Sequence, residues 1–338
     1  MTYTLILKDM DKAIARGMEA CRNKEKITIY GDYDVDGATS TGILWWYLTH
    51  SGCIFIPERM TEGYGPNVPA MHKIAETGTT LLIVADSGTT AFEPLSIADE
   101  LGMSILVLDH HTAEDTLPPG IVVNPNRKDE TGAYYYLCTA GIAFLFVVGL
   151  LRGLRKAGFF SDELPEFDLR KLMGLAALGT VADVVHLKGF NRDIVAIGIP
   201  HMMRKTGLAA LAMQCGIDPS TFNPKTCGFV FGPCINAGGR VDSIKWGATL
   251  LTTSDPVECA TIAAMLQGFN NDRKAVQKLI EVQSIKQANV RLEENEDKVV
   301  IVYSEEWHPG VVGIVASRFK EGFDRPAIVI GKDGKGSC

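Results

Sequence analysis

The sequence lacks the cysteine patterns that mark zinc-binding and secreted proteins. Its eight cysteines include no CxxC pair and no Cys/His zinc spacing, and no secretory leader precedes them. We therefore expect reduced thiols and a cytoplasmic protein. A membrane span is also missing, because the longest apolar run, Leu137 to Leu151, is shorter than the roughly 18 residues that a span requires. That run predicts a buried helix and no membrane partner.

An excess of positive charge is missing as well. The 33 basic and 40 acidic side chains give a net charge of −7, which argues against a protein that coats nucleic acid by bulk charge. A local basic channel is compatible with this balance. The charge therefore does not exclude a DNA substrate.

One acidic segment stands where basic residues are absent. Residues 31–37 read GDYDVDG, and no Lys or Arg lies between Lys26 and Arg59. Each pair of like charges about 4 Å apart costs roughly 4 kcal/mol at an effective dielectric near 20. Side chains two residues apart on an extended segment point the same way, so a bound cation is the leading means of relieving the repulsion. The three aspartates are Asp32, Asp34 and Asp36.

The same spacing also opens an EF-hand calcium loop. That loop needs a bidentate Glu at position 12, where this chain has Ile43, and it should follow a helix rather than the β-rich run KITIY. We therefore reject an EF-hand. A plain acidic surface turn remains the alternative for this motif taken alone.

Further acidic and histidine residues follow later apolar runs. LLIVADSG ends in Asp86, SILVLDHH ends in Asp109, His110 and His111, and LAALGTVADVV carries Asp183. Taken singly, such residues are often helix caps or satisfied core groups. Together, carboxylates and imidazole without thiolate suit Mn²⁺ or Mg²⁺, and the set is large enough for two ions that share a bridging carboxylate.

The first half of the chain alternates β-rich and helical stretches, which predicts an α/β fold. Runs such as KITIY, TLLIVAD and SILVLD alternate with helices, and this pattern indicates a mainly parallel sheet with helices on both faces. Ligands of open parallel sheets bind beyond the carboxyl ends of the strands, where the acidic motifs lie. The predicted helices cover residues 38–50, 67–77 and 91–101.

The 338 residues predict one large domain and a smaller one. We place a catalytic domain at residues 1–205, a helical region with a long connecting helix at 206–295, and a small or incomplete α/β unit at 296–338. The helical period from Asp255 to about Asn295 indicates one long helix or two in series. A further helix is expected near 310–321.

Four segments, GDYDVDG, VADSG, LDHH and GTVADVV, resemble in this order the signature motifs of the DHH phosphoesterase superfamily. PERMTEGYGPN, GPCINAGGR and WHPGVVGIVASRF are similar to the RecJ-type exonucleases, and the resemblance runs through nearly the whole chain. It implies a DHH domain, a long linking helix and a DHHA1 domain. It also implies 5′-to-3′ degradation of single-stranded DNA to mononucleotides, in DNA repair and recombination.

The resemblance assigns a role to each acidic or histidine position. Asp86 would bridge two ions, while Tyr30 stands where a related branch has a histidine ligand and Ser87 where relatives more often have Asn or His. The implied metal ligands are Asp34, Asp36, Asp86, His110 and Asp183. The implied catalytic residues are Asp32, Asp109, which would fix an imidazole tautomer, and His111, which would face the scissile phosphate.

Four residues are expected to contact the substrate. Arg59 and Arg240 would bind phosphate, with a surface or interdomain ion pair as the alternative. His308 precedes a helix whose first amides would receive a phosphate, and its neighbour Trp307 is expected to pack rather than stack on a base. Tyr64 would stack a base, or else belong to an ordinary turn.

The final residues, KGSC, resemble the opening of a phosphate-binding segment that the chain does not complete, and no OB-fold follows. We therefore expect weak affinity and low processivity for single strands. Two other functions stay open, namely a phosphodiesterase for short oligonucleotides or cyclic dinucleotides, and a non-catalytic replication scaffold similar to Cdc45-type relatives. A helicase or a single-strand-binding protein is the expected protein partner.

Overall fold

The protein is described from a computed structural model that covers residues 7–48, 52–57, 63–238, 245–294 and 298–338. The strands are β1 Ile27–Tyr30, β2 Cys53–Phe55, β3 Leu81–Ala85, β4 Ser104–Leu108, β5 Ile121–Val123, β6 Val300–Tyr303, β7 Ala327–Ile330 and β8 Gly336–Ser337. The helices are α1 Met10–Asn23, α2 Val35–Leu48, α3 Val68–Glu76, α4 Phe92–Glu100, α5 Thr139–Lys156, α6 Arg170–Ala182, α7 Gly189–Gly198, α8 Thr206–Gln214, α9 Trp246–Thr252, α10 Pro256–Glu294 and α11 Pro309–Phe323. Short helical turns lie at Ile199–Arg204, Pro219–Thr221, Pro224–Thr226, Cys227–Phe231, Gly232–Ile235 and Lys332–Gly334.

The first five strands form one parallel sheet in the order β2-β1-β3-β4-β5. Ile29 of β1 is in register with Ile54 of β2 on one side and with Ile83 of β3 on the other. Because β2 lies on one side of β1 and β3 on the other, the connections leave β1 and β3 toward opposite faces, and a crevice opens between them at their carboxyl ends. The predicted α/β fold with a parallel sheet is confirmed.

Helices cover both faces of this sheet, since alternate strand residues belong to two separate cores. Ile83 and Leu106 face the larger core, which α1, α2, α5 and α6 complete. Leu82 and Val107 face the smaller core, which α3 and α4 complete. Successive side chains of a strand point to opposite faces, so strands buried on both sides are mainly apolar, and every residue of β3 is apolar.

Helix α2 begins at Val35, three residues earlier than the predicted 38–50. Asp34 caps it, because the Asp34 Oδ1 accepts a hydrogen bond of 2.9 Å from the amide of Gly37. The expectation that the three aspartates lie on one extended segment is therefore wrong. Asp36 sits in the first turn of the helix, where residues two apart do not face the same way.

The apolar run from Leu137 to Leu151 forms most of α5, which packs against α1, α2 and α6. Its residues are buried in the larger core, as predicted. Among the described residues, no helix combines the length and the hydropathy that crossing a membrane demands.

The long segment with a helical period forms a single helix, α10, of 39 residues. After it, β6 and β7 pair in parallel, β8 adds an antiparallel strand, and α11 covers this small sheet. Trp307 is buried in the small core, with 1% of its surface exposed, and its Nε1 donates to Gln283 of α10 at 2.7 Å. Trp307 therefore packs, as predicted. The division at residues 205 and 295 stays a prediction.

Candidate metal centre

The acidic motifs meet in the crevice at the carboxyl ends of β1, β3 and β4. Asp32 and Asp34 follow β1, Asp86 follows β3, and the pair His110 and His111 follows β4. Parallel strands end at the same edge of the sheet, so residues far apart in the chain are brought together there. The site is thus a direct product of the strand order.

His110 lies at the middle of a group of carboxylates. Its Nε2 is 3.5 Å from Asp86 Oδ1, 3.6 Å from Asp183 Oδ2 and 3.9 Å from Asp36 Oδ2. Carboxylate oxygens from three other segments thus lie within 4 Å of one imidazole nitrogen. The sequence predicted all four residues as ligands, and the structure brings them together.

A second group shares one member with the first. Ligand atoms of Asp32, Asp34 and Asp86 all lie within 4.8 Å of one another. Since Asp86 belongs to both groups, it is the residue placed to bridge two cations. This geometry fits the predicted bridging role, which itself stays a prediction.

The backbone of Asp86 has a left-handed conformation, with φ of 66°. Aspartate and asparagine tolerate this region better than other non-glycine residues. The Asp86 amide donates to the carbonyl of Leu108 at 3.0 Å, and its own carbonyl accepts from the Tyr64 hydroxyl at 3.1 Å. The turn thereby aims the carboxylate inward.

Thr139, at the start of α5, holds two of the carboxylates, and the sequence reasoning missed it. Its amide donates to Asp36 Oδ2 at 2.7 Å and its hydroxyl to Asp86 Oδ1 at 2.9 Å, while the Ala140 amide donates to Asp36 Oδ1 at 2.9 Å. A helix N-terminus stabilises negative charge through its free amides and its dipole. The only available signal was a hydroxyl at the start of an apolar run.

Burial makes the charged forms of these acids costly. Burial raises the pKa of Asp36 to about 6, with the charge of Asp34 adding to the effect, and burial together with Asp36 raises the pKa of Asp183 to about 7. The pKa of Asp86 is raised well above its ordinary value by burial and then by Asp36. Among the described residues, no Lys or Arg lies within 4.0 Å of these three carboxylates.

The donor set fits divalent cations that prefer oxygen ligands. Asp183 Oδ2 is buried and accepts no hydrogen bond from the described residues, so it has a lone pair free for a cation. Cys138 also lies within ligand distance of Asp36 and Asp183. Burial, with the charge of Asp36 adding to the effect, raises the pKa of its thiol, and Mn²⁺ and Mg²⁺ prefer the oxygen and imidazole ligands beside it.

Asp109 organises the loop that carries both histidines. It accepts hydrogen bonds from the amides of Thr89, His110 and His111, and its Oδ1 is 2.7 Å from His111 Nδ1. Although burial opposes it, hydrogen bonding with His111 lowers the pKa of Asp109 to about 2, and the same bond raises the pKa of His111. The His111 Nε2 lies 3.1 Å from the Tyr64 hydroxyl.

The predicted substrate residues fall into three groups. Arg59 and Arg240 lie outside the described residues. Tyr64 stands at the centre itself, with 54% of its surface exposed. His308 caps α11, since its Nδ1 accepts from the amide of Gly310 at 3.1 Å. These four roles stay predictions.

Tyr30 and Ser87, the two positions at which the sequence departs from the DHH motifs, lie in different surroundings. The Tyr30 ring stacks on Phe55 in the smaller core, and its hydroxyl donates to the carbonyl of Gly65 at 2.6 Å. Ser87 is buried beside Asp86, and its hydroxyl makes no hydrogen bond with the described residues. Neither residue alters the group around His110.

Together, fold and site define a parallel α/β protein with a carboxylate and imidazole centre for divalent cations at the switch point of its sheet. The family model "DHH family, N-terminal domain" matches residues 26–180. The chain is 36% identical to the single-stranded-DNA-specific exonuclease RecJ of Bacillus subtilis over 97% of its length, and 33% identical to that of Haemophilus influenzae over 98%. It covers 40% and 59% of those two proteins, so it spans about half the length of these curated relatives.

Solved structures give the same result. A crystal structure of exonuclease RecJ bound to manganese superimposes with a TM-score of 0.83 at 32% identity, covering 97% of this chain and 81% of that one. RecJ from Thermus thermophilus in complex with Mn²⁺ superimposes with a TM-score of 0.82 at 31% identity, over 98% of this chain and 47% of that one. The chain belongs to the DHH family, in its RecJ-type branch.

Proposed function

We propose that this chain is a metal-dependent phosphodiesterase that removes mononucleotides from the 5′ end of single-stranded DNA. The observation that carries the proposal is the position of Asp86, which is shared by two groups of ligand atoms. Two cations held by one carboxylate are a recurring arrangement for phosphodiester hydrolysis. The relatives that match nearly the whole chain are named single-stranded-DNA-specific exonucleases, which supports the substrate class.

The proposed ions are Mn²⁺ or Mg²⁺, since related RecJ structures contain one or the other. Bound divalent cations would supply an activated water and would stabilise the charge that develops on the phosphate. His110, with the carboxylates of Asp36, Asp86 and Asp183 near its Nε2, would hold one ion, while Asp32, Asp34 and Asp86 would hold the second.

The chain's own residues orient these groups and move protons. Thr139 fixes the carboxylates of Asp36 and Asp86 by the bonds described above. Asp109 holds the Nδ1 side of His111, which leaves Nε2 toward Tyr64 and the crevice. A His111 imidazole with a raised pKa is suited to donate a proton to a departing oxygen. The 5′-to-3′ polarity rests on the family alone.

The expected biological setting follows from the same family. A helicase or a single-strand-binding protein as partner, a role in DNA repair and recombination, and a cytoplasmic location belong to the proposal. The eight cysteines form no disulfide in the described structure, which is compatible with a reducing compartment.

A nuclease assay with a matched variant tests the proposal. We expect Mn²⁺-dependent release of mononucleotides from a single-stranded 30-mer, little release from the duplex, and loss of activity in Asp86→Asn. Asn at this position accepts the Thr139 hydrogen bond and tolerates the left-handed backbone, so the fold is kept. Asp99→Asn, at an exposed acid of α4, is the control and should retain activity.

The outcomes separate the alternatives. Faster cleavage of dinucleotides than of 30-mers would favour a short-oligonucleotide phosphodiesterase. Metal binding without any nucleotide release would favour a non-catalytic scaffold. Release that is unaffected by Asp86→Asn or by chelation would overturn the proposal.

A further inference from the structure

Arg273, on the long helix α10, is buried without a counter-charge. Only 9% of its surface is exposed, and among the described residues no carboxylate lies within 4.0 Å of its guanidinium. Its nitrogens donate instead to two neutral acceptors, Asn270 Oδ1 at 3.0 and 3.2 Å and Gln277 Oε1 at 2.9 Å. Burial lowers its pKa. Such a charge is costly unless an anion joins it.

The guanidinium lines a cavity of about 170 Å³ next to the metal centre. Ala182, which precedes the ligand Asp183, forms part of the wall, and Gly232 forms another part. A Cβ atom on Gly232 would lie 3.7 Å from the Ala182 Cβ and 3.9 Å from the Val35 Cγ2, so both ligand-bearing segments touch this wall. The cavity therefore adjoins the segments that carry Asp36 and Asp183.

A second polar side chain that lines the same cavity, Asn236, has an oxygen without a hydrogen bond in the described part of the chain. The Asn236 Oδ1 is buried and makes no hydrogen bond with the described residues. Rotation of the amide by half a turn would present its Nδ2 instead, as a donor. A guanidinium and an amide thus line a space large enough for a phosphate group, and neither has an anionic partner among the described residues.

The cavity continues into a larger one of about 520 Å³ that shares Arg273, Pro233 and Ile314. We call the two together the Arg273 groove. Its larger part adds Lys274, Lys278 and Arg318, and the one acid among its described lining residues, Glu281, already pairs with Arg318 at 2.6 Å. Positive charge that follows a groove is typical of a surface for a nucleic-acid backbone.

An aromatic side chain stands on the wall of the groove. Phe229 lies in the short turn Cys227–Phe231, and 80% of its surface is exposed to solvent. Exposed aromatic rings beside basic residues serve single-strand-binding proteins as platforms on which bases stack. Both features suit an extended strand that leaves the metal centre along this path.

We propose that Arg273 and Asn236 hold an internucleotide phosphate of the substrate strand on the 3′ side of the scissile bond, and that a following base stacks on Phe229. This inference rests on the proposed function and names the positioning residues for its substrate. Arg273 is a positioning residue, since it does not face the reacting atoms.

Binding of a 3′-labelled dT 12-mer, followed by fluorescence anisotropy in EDTA, tests this assignment. Arg273→Gln should weaken binding about 10- to 100-fold, the loss expected for a charge-assisted hydrogen bond. It should also reduce the slope of log K against log salt by about 1, the contribution of one phosphate contact. Arg152→Gln, at an exposed arginine of α5, should change neither quantity.

A stability measurement distinguishes this role from a structural one. Because Arg273→Gln removes a buried charge without a counter-charge, the urea midpoint of the free protein should stay equal or rise. A lowered midpoint would assign Arg273 to the packing of α10. In the nuclease assay, KM for 30-mers should rise while kcat stays within a few-fold.

A neutral substitution in the DNA locates the contact. A methylphosphonate at one position of the 12-mer should weaken binding to the natural chain and leave binding to Arg273→Gln unchanged. If no position shows this pattern and both proteins bind alike, the inference fails while the proposed function stands. If the natural chain neither binds the 12-mer nor releases nucleotides, the proposed function fails first.

Discussion

Replacing Asp86 by Asn should stabilise the metal-free protein, although it removes a residue of the proposed active centre. The carboxylate of Asp86 lies with those of Asp36 and Asp183 around one imidazole, and burial raises the pKa of all three. Asn has the same shape, keeps the Thr139 hydrogen bond and tolerates the φ of 66°. Only the buried charge is lost.

The expected gain in the free energy of unfolding can be calculated from the pKa of the neighbouring residue Asp36. For Asp36, a pKa of about 6 against about 3.9 for an exposed aspartate corresponds to roughly 3 kcal/mol at neutral pH. Asp86 is buried to the same extent, and burial followed by the charge of Asp36 raises its pKa in the same direction, so its neutralisation should also stabilise the free protein. We expect the free energy of unfolding in EDTA at pH 7.5 to rise by about 2–4 kcal/mol.

The pH dependence of stability gives a second test of whether Asp86→Asn stabilises the metal-free protein. A carboxyl whose folded pKa is raised stabilises the fold most below its unfolded pKa, and that stability is lost as pH rises through the folded value. The advantage of Asp86→Asn should therefore be small near pH 4 and should grow as pH rises above that value. Urea unfolding at several pH values measures it, with Asp99→Asn as control.

With Mn²⁺ bound, the natural chain should become more stable than Asp86→Asn. A bound ion stabilises the natural chain in proportion to the logarithm of its concentration over the dissociation constant, and the variant should lose most of this effect. If Asp86→Asn is less stable than the natural chain in EDTA at every pH, the carboxylates do not repel one another, and the argument for a cation site is refuted.

Three further predictions follow from the same contacts. Mn²⁺ binding measured by calorimetry should weaken as pH falls below about 7, because the pKa of Asp183 is about 7 and protons compete for this ligand; constant affinity down to pH 5.5 would contradict this. Thr139→Val should weaken Mn²⁺ binding about 10- to 100-fold through loss of the hydroxyl that orients Asp86, and Thr139→Ser should restore it. Trp307→Ala should destabilise the small sheet by about 3–5 kcal/mol, seen in urea unfolding, and an unchanged midpoint would show that this core is dispensable.

Much of the site could be predicted from the sequence because its motifs are local. Each ligand follows an apolar run, and the alternation of runs and helices fixes that those runs are parallel strands whose carboxyl ends share an edge. The aspartates after β1 and β3 and the histidines after β4 could therefore be expected to meet. The first residue of α2 could not be predicted from the sequence in this way. Asp34 caps this helix through its side chain, and the sequence pattern does not distinguish a capping aspartate from one on an extended segment.

What the sequence by itself determined was the list of candidate cation ligands and the kind of sheet that carries them, since side-chain periodicity is decided within a few residues. Only the tertiary structure decided which groups support those ligands. Thr139 reaches Asp36 across 103 positions of the chain, and Arg273 shares a cavity wall with Ala182 and Gly232 only because α10 packs against α8, α9 and the turn Gly232–Ile235. Contacts of this kind depend on how whole elements pack, and packing follows from the summed burial of many side chains rather than from any short pattern.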